Sequence, residues 1–355
     1  MTVLTVVGAR PQFVKAFPVS QHLRERHREV LVHTGQHYDS ELSDVFFEEL
    51  PIPEVDHNLR VGSGRRGRQT ARMLLRLDPI VERVDPDAIL VYGDTNSTMA
   101  GALAAVSTDC PLVHVEAGLR SGDRSMPEET NRILTDHAAT ALCAPNEAAR
   151  ETLAAEGITE GVAVTGDVMY DALLAVRGRA AERSSVLERL GLSSGEYVLA
   201  TVHRAANTDN RARLAAVMDG LAAAPLPVVL PLHPRTERAL RQYSLFEEYA
   251  DRLQLVDPQG YLDFVRLLDE ADRVATDSGG VQKEACYLRT RCITMRDRTE
   301  WPETVESGLN ELVGADTARI ERALRRQDPL PEVPDLYGGG QAAQRVVEVV
   351  DDVIR

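Results

Sequence analysis

Long apolar runs are missing from this chain of 355 residues: no stretch reaches the roughly 20 residues that a membrane helix needs. Lysine is almost missing too. Lys15 and Lys283 stand alone among 40 basic residues, the rest being arginine. That pattern, with a net charge of −15, fits either a salt-adapted cytoplasm or a GC-rich genome. The negative balance also argues against sequence-independent nucleic-acid binding outside a local basic cleft. Aromatics make up only 5%, with one tryptophan, Trp301. The four cysteines (Cys110, Cys143, Cys286, Cys292) form no CxxC pair, and nothing nearby completes a metal site. They are expected to be buried thiols in a cytoplasmic protein. The start, MTVLTVVGARPQFVK, has no basic n-region or cleavage site and reads as a first strand.

What is present is a repeated alternation of apolar runs and helical patterns. Strands are predicted at 3–7, 30–33, 88–92, 112–115, 141–144 and 162–165. Helices are predicted at 11–25, 68–84, 98–107, 128–137 and 147–156. After a break near residues 166–171 and a long helical stretch to about 191, the pattern restarts. Strands are then expected at 197–202, 228–232, 253–256, 273–276 and 292–295, with helices at 211–223, 261–270 and 281–288. Repeated β–α units mean parallel sheets covered by helices, and the chain exceeds what one core usually supports. The predicted fold is therefore α/β: two Rossmann-like domains facing across a cleft. The first spans 1–169 plus 340–355, the second 170–339, and a final helix at 341–354 crosses back to the first.

The chemistry-bearing residues cluster where strands should stop. ILVYGDTNST ends a strand in Asp94, PLVHVEAGLRSGDRSMPEETNR ends one in Glu116, and twelve residues later comes Glu128 beside Glu129. The carboxyl edge of an open α/β sheet is where ligands bind. Taken singly, Asp94 reads equally as a helix N-cap and the two glutamates as first-turn residues suiting the helix dipole. No dinucleotide fingerprint accompanies these acids. Three acids without a cofactor motif suggest proton transfer or elimination.

Other turns suggest an anion. In VVGARPQFVK, Arg10 and Lys15 flank a helix start, but the turn is neither a Walker A loop nor GxGxxG. In VATDSGGVQKEA, Ser278, Gly279 and Gly280 open a helix, a setting suited to phosphate, and Glu284 sits one turn in, within reach of a ribose diol. The bland alternative is a serine cap with glycines needed only for the turn. His203 in TVHRAAN and His233 in LPLHPRT both end strands; His233 reads as structural or substrate-adjacent.

The run GARPQFVK, GQHYD, VYGDTNST, HVEAGLRSGDRSMPEETNR, TVHRAAN, DPQGYLDF, TDSGGVQKEA and MRDRTEWPE resembles, in order and over essentially the whole chain, the non-hydrolysing UDP-N-acetylglucosamine 2-epimerases. The resemblance implies a glycosyltransferase-B fold, a homodimer, and no cofactor or metal. It implies interconversion of UDP-GlcNAc and UDP-ManNAc by elimination of UDP and re-addition to a 2-acetamidoglucal. It implies catalytic roles for Asp94, Glu116, Glu128 and His203, without dividing base from acid. Arg10, Lys15, Gln259, Phe264, Ser278, Gly279, Gly280 and Glu284 match positions that hold the UDP moiety. Trp301 replaces an arginine many members carry, and Lys283 stands where an acid is common. The segment around Gln36 and His37, where regulated members bind a second substrate molecule, also differs. Related branches act on other UDP-2-acetamido sugars, including diacetamido-uronates. The rival readings are a retaining glycosyltransferase, a hydrolysing epimerase and a non-catalytic UDP-sugar sensor.

Overall fold

The structure, a computed structural model, describes residues 1–36, 53–332 and 335–355. The chain divides into two compact units, Met1–Ala175 with Asp335–Arg355, and Val176–Pro334.

In the first unit, β1 (Thr2–Val7), β2 (Arg28–His33), β3 (His57–Asn58), β4 (Ala88–Tyr92), β5 (Leu112–Val115), β6 (Ala141–Ala144) and β7 (Val162–Val164) form one sheet in the order β3-β2-β1-β4-β5-β6-β7. Every pairing is parallel, for example Leu4 opposite Val30 and Ile89. The strands are apolar on both faces because helices cover both. On one face Val3, Val7, Leu90 and Tyr92 pack with Phe13 and Val19. On the other, Leu4, Val6, Ile89 and Val91 pack with Met73, Leu77 and Ala104.

The helices that matter for the site are α1 (Arg10–Arg26), α2 (Arg66–Val84), α3 (Asn96–Ser107) and α4 (Pro127–Ala138). The C-terminal helix, Ala342–Val353, buries Val346, Val347 and Val350 in the first unit's core. Its opening is fixed by Asp171, whose carboxylate accepts from the Ala342 and Ala343 amides at 3.1 and 2.9 Å.

In the second unit, β8 (Val198–Thr201), β9 (Val228–Pro231), β10 (Gln254–Val256), β11 (Arg273–Thr276), β12 (Arg291–Thr294) and β13 (Asn310–Leu312) run β10-β9-β8-β11-β12-β13. This is the doubly wound Rossmann order, again with parallel pairs throughout. The expected helical stretch to residue 191 is two helices, Val168–Arg183 and Val186–Leu190, the second closed by Gly191 at φ 66°. The short strands β3 and β13 and the helices Pro234–Gln242 and Thr317–Leu324 were not predicted. Two- and three-residue strands carry too little pattern to stand out.

Candidate active site

Strand order reverses in each sheet at one point, and the crevice above it collects the turns that leave the two strands there. In the first unit those strands are β1 and β4, so the turns at Gly8–Arg10 and Gly93–Asp94 meet there, with Glu116 after β5 alongside. In the second unit they are β8 and β11, which lead into His203 and into Asp277–Ser278.

The acids of the first unit are held in different ways. Glu116 sits at φ 71°, a region that disfavours side chains and is kept only where surrounding contacts impose it. Its amide and that of Ala117 both donate to the Cys143 carbonyl at 3.1 Å. Its carboxylate pairs with the Lys15 ammonium, the two side chains being only 13% and 16% exposed. Burial alone would lower the Lys15 ammonium, but the charge and hydrogen bond of Glu116, with Asp94 and Asp167 further off, raise it above its ordinary value. Lys15 thus lies among the acids. Arg10 is exposed at the first position of α1, and Gln12 closes the turn by accepting from the Gly8 and Ala9 amides.

Asp94 is not the helix cap. Thr95 is, accepting from the Ser97 and Thr98 amides. That leaves the Asp94 carboxylate for Arg132 of α4, with which it pairs while staying 32% exposed. Its carbonyl accepts from Asn131 at 2.9 Å, and Asn131 in turn is bonded by Arg66.

The neighbours Glu128 and Glu129 divide sharply. Glu128 is exposed on the first turn of α4. Glu129 is buried, accepting from the Ser121 amide and hydroxyl at 2.9 Å and the Gly122 amide at 3.0 Å. Burial works against its charge, but the Ser121 and Gly122 bonds and Arg132 hold it below its ordinary value.

Beneath these acids lies a support that sequence reasoning missed. His114 of β5 is fully buried, with Nε2 2.7 Å from the Gly93 carbonyl and Nδ1 2.7 Å from Asp136. Asp136 also accepts from the Gly118 amide and from Arg120, so one network ties together the turns carrying Asp94 and Glu116. The signal lay within HVEAG itself, a histidine inside an otherwise apolar strand. Sequence reasoning also passed over the GxGxxG spacing from Gly62 to Gly67. In the fold it follows the edge strand β3 and opens α2, where Arg66 reaches Asn131 beside Asp94. Gln36 is buried, accepting from the Ser97 amide and hydroxyl; His37 lies outside the described residues.

In the second unit, Asp277 is fully buried and accepts from the His203 and Arg204 amides at 3.0 Å and from Asn207. It therefore fixes the strand end carrying His203, whose ring lies 5.4 Å from that of His233. Burial pushes the His203 imidazole below its usual value; Asp277 opposes this, and His233, Arg204 and Arg235 add to it. Ser278 caps α5 (Gly279–Leu288), accepting from the Val281 amide at 3.5 Å.

The glycines behind that cap are not needed for the turn: neither Gly279 nor Gly280 has positive φ. A Cβ on Gly280 would meet nothing nearer than 3.9 Å. Glycine at such a position costs helix stability and meets no steric need of the fold. Glu284 accepts from the Tyr261 hydroxyl at 3.2 Å, and burial raises its carboxyl despite that bond and Lys283. Gln259 is bonded to Arg189 at 2.8 Å, while half-buried Phe264 packs against the core around Leu267 and Val274. Among the described residues no helix is long and apolar enough to cross a membrane.

The comparisons agree with this architecture. The family model for UDP-N-acetylglucosamine 2-epimerase matches residues 21–351. A UDP-N-acetylglucosamine 2-epimerase homologue of Methanococcus maripaludis is 46% identical, covering 99% of both chains. The UDP-2,3-diacetamido-2,3-dideoxy-D-glucuronate 2-epimerase of Pseudomonas aeruginosa is 44% identical, covering 98% of this chain and 99% of its own. The crystal structure of Methanocaldococcus jannaschii UDP-GlcNAc 2-epimerase with UDP-GlcNAc and UDP aligns at a TM-score of 0.80 and 38% identity, over 99% of this chain and 100% of that one. The two Rossmann-like units are of the glycosyltransferase-B type, and the chain belongs to the UDP-N-acetylglucosamine 2-epimerase family.

Proposed function

We propose that this protein interconverts UDP-GlcNAc and UDP-ManNAc by eliminating UDP across C1–C2 and re-adding it to the 2-acetamidoglucal. The observation that carries the reading is the set of acids around the first unit's reversal point, each held in a different environment. A C2–H is weakly acidic, so its removal needs a positioned carboxylate and departure of UDP in the same reaction. Glu116, fixed by its backbone and paired with Lys15, and Asp94, paired with Arg132, are carboxyl groups held in place. Glu128 is the exposed third acid. The protons leave and return through this trio, the returning one arriving on the opposite face of C2.

The second unit supplies the nucleotide contacts. The Ser278 turn and the amides opening α5 receive the diphosphate, with His203 beside them. Glu284 receives the ribose. His203 offers a ring nitrogen for a hydrogen bond to the leaving phosphate.

A second substrate is favoured by one observation. The 44% identity to a diacetamido-glucuronate epimerase makes a UDP-diacetamido-uronate the competing sugar. The two separate on incubation with each UDP-sugar and analysis of the products by NMR. The proposal expects UDP-ManNAc from UDP-GlcNAc, with no accumulation of free ManNAc. Free sugar would mean a hydrolysing enzyme, and turnover of the uronate alone would move the assignment.

The working assembly is a homodimer. Leu75 on α2, Leu103 and Val106 on α3 and Leu134 on α4 are 74%, 41%, 56% and 51% exposed, an unusual set on three neighbouring helices. Sedimentation at equilibrium tests it. The protein works in the cytoplasm, where its four cysteine thiols, three of them buried, stay reduced.

A further inference from the structure

The single tryptophan lies against the turn that the proposed function gives to the diphosphate. Its indole N–H donates to the Gly279 carbonyl at 3.0 Å. Its ring carries the Lys283 ammonium 4.2 Å from the centroid. Lys283 is 7% exposed and lies 5.9 Å from the Tyr287 ring centroid as well, so two aromatic rings flank its charge. The indole is itself held. The Trp301 amide donates to Thr299 Oγ1 at 3.0 Å, and Thr299 donates to Gln282 of α5 at 2.6 Å. The Trp301 carbonyl accepts from the Thr304 amide and hydroxyl at 3.1 and 2.7 Å. Gly279 has no side chain to fix its peptide plane, and a glycine backbone left alone has the widest choice of conformations.

We propose that Trp301 is a positioning residue of the UDP-sugar site: through Gly279 it fixes the peptide units of the Ser278–Gly280 turn, and through Lys283 it keeps the first turn of α5 in place. The proposal rests on the reading of that turn as the diphosphate site. In a planar trans peptide the carbonyl and the next amide point opposite ways. With the Gly279 carbonyl held by the indole, the Gly280 amide is fixed pointing away from it, ready for a phosphate oxygen. Because Trp301 is the one tryptophan, the same contact makes its emission a direct report on the turn.

The test uses the full chain and UDP. Calorimetry first measures UDP binding to the wild type. Absence of binding would refute the diphosphate reading and this inference with it. If UDP binds, tryptophan emission excited selectively over tyrosine shifts along the titration and saturates at the calorimetric Kd. Binding without an emission change would overturn this inference alone. Trp301→Phe keeps a ring under Lys283 and removes the N–H donor. It is expected to raise the Kd for UDP and the KM for the UDP-sugar about fivefold, the scale of one lost hydrogen bond. Its kcat should fall by less than its KM rises, because the acids lie elsewhere. Wild-type KM, or a loss in kcat with KM unchanged, would overturn the proposal. The emission titration on the wild type decides it even if the variant fails to fold.

Discussion

Glu128 and Glu129 are adjacent in sequence and assigned opposite work, so substituting each by glutamine separates structure from chemistry. Glu129 accepts three hydrogen bonds from the Ser121–Gly122 turn and lies 3.7 Å from Arg132. A glutamine there keeps one oxygen and turns an NH2 toward a backbone N–H. One half-buried donor then loses its acceptor, costing about 1 kcal/mol, and each surviving bond loses its ionic share, about 0.5–1 kcal/mol. The sum is about 2–3 kcal/mol. In a unit of this size it lowers Tm by about 4–12 °C. Glu128 is exposed, so Glu128→Gln should move Tm by no more than about 2 °C. Turnover should instead fall by about 10²–10⁴, the scale of a lost general acid or base. Thermal melts followed by circular dichroism, with turnover measured by NMR, read both quantities. Wild-type melting in Glu129→Gln, or near-normal turnover in Glu128→Gln, would refute the division.

The geometry predicts three further outcomes. Lys15→Met leaves the Glu116 carboxylate nearly buried without its partner; the cost of breaking a buried pair, reduced for the remaining exposure, is about 2 kcal/mol, read by urea titration, and turnover drops with it. Gly93 has φ 61°, and a Cβ there would lie 3.3 Å from both Glu116 Oε2 and Lys15 Nζ. Gly93→Ala should therefore cost about 1–2 kcal/mol and slow turnover more than tenfold, and a fully active variant would contradict the tight placement of that pair. His203 has a depressed value in the fold, so as pH falls through about 6.5 the unfolded chain takes up a proton there that the folded chain refuses. Stability should thus decline below about pH 6.5 and level off above it, with a smaller decline in His203→Asn, measured by denaturant titration across pH.

Much of this was legible in the sequence because buried parallel strands announce themselves. The run 88–92 is β4 to the residue, and 112–115 is β5. The acids at their ends followed from that placement alone. What the sequence hid depends on contacts far apart in the chain. Glu116 and Lys15 are 101 residues apart, and their pairing depends on a left-handed backbone at Glu116 that no local pattern marks. Asp94 looked like a helix cap because all five residues of DTNST are capping types; the helix uses Thr95. The bland alternative for the Ser278 turn, glycines needed only to form it, does not hold, because neither has the conformation that would require glycine. Glu129 differs from Glu128 only in which side of α4 it occupies, and the Ser121–Gly122 loop that claims it has no periodicity to read.

The central claim is that a proton leaves and returns at C2 of a UDP-2-acetamido sugar. Incubating the protein with UDP-GlcNAc in D2O and following C2 by NMR tests it most directly. The account predicts deuterium at C2 of both UDP-GlcNAc and UDP-ManNAc as the two equilibrate, and none with Glu116→Gln. Absence of deuterium at C2, with this sugar and with the diacetamido-uronate, would contradict it.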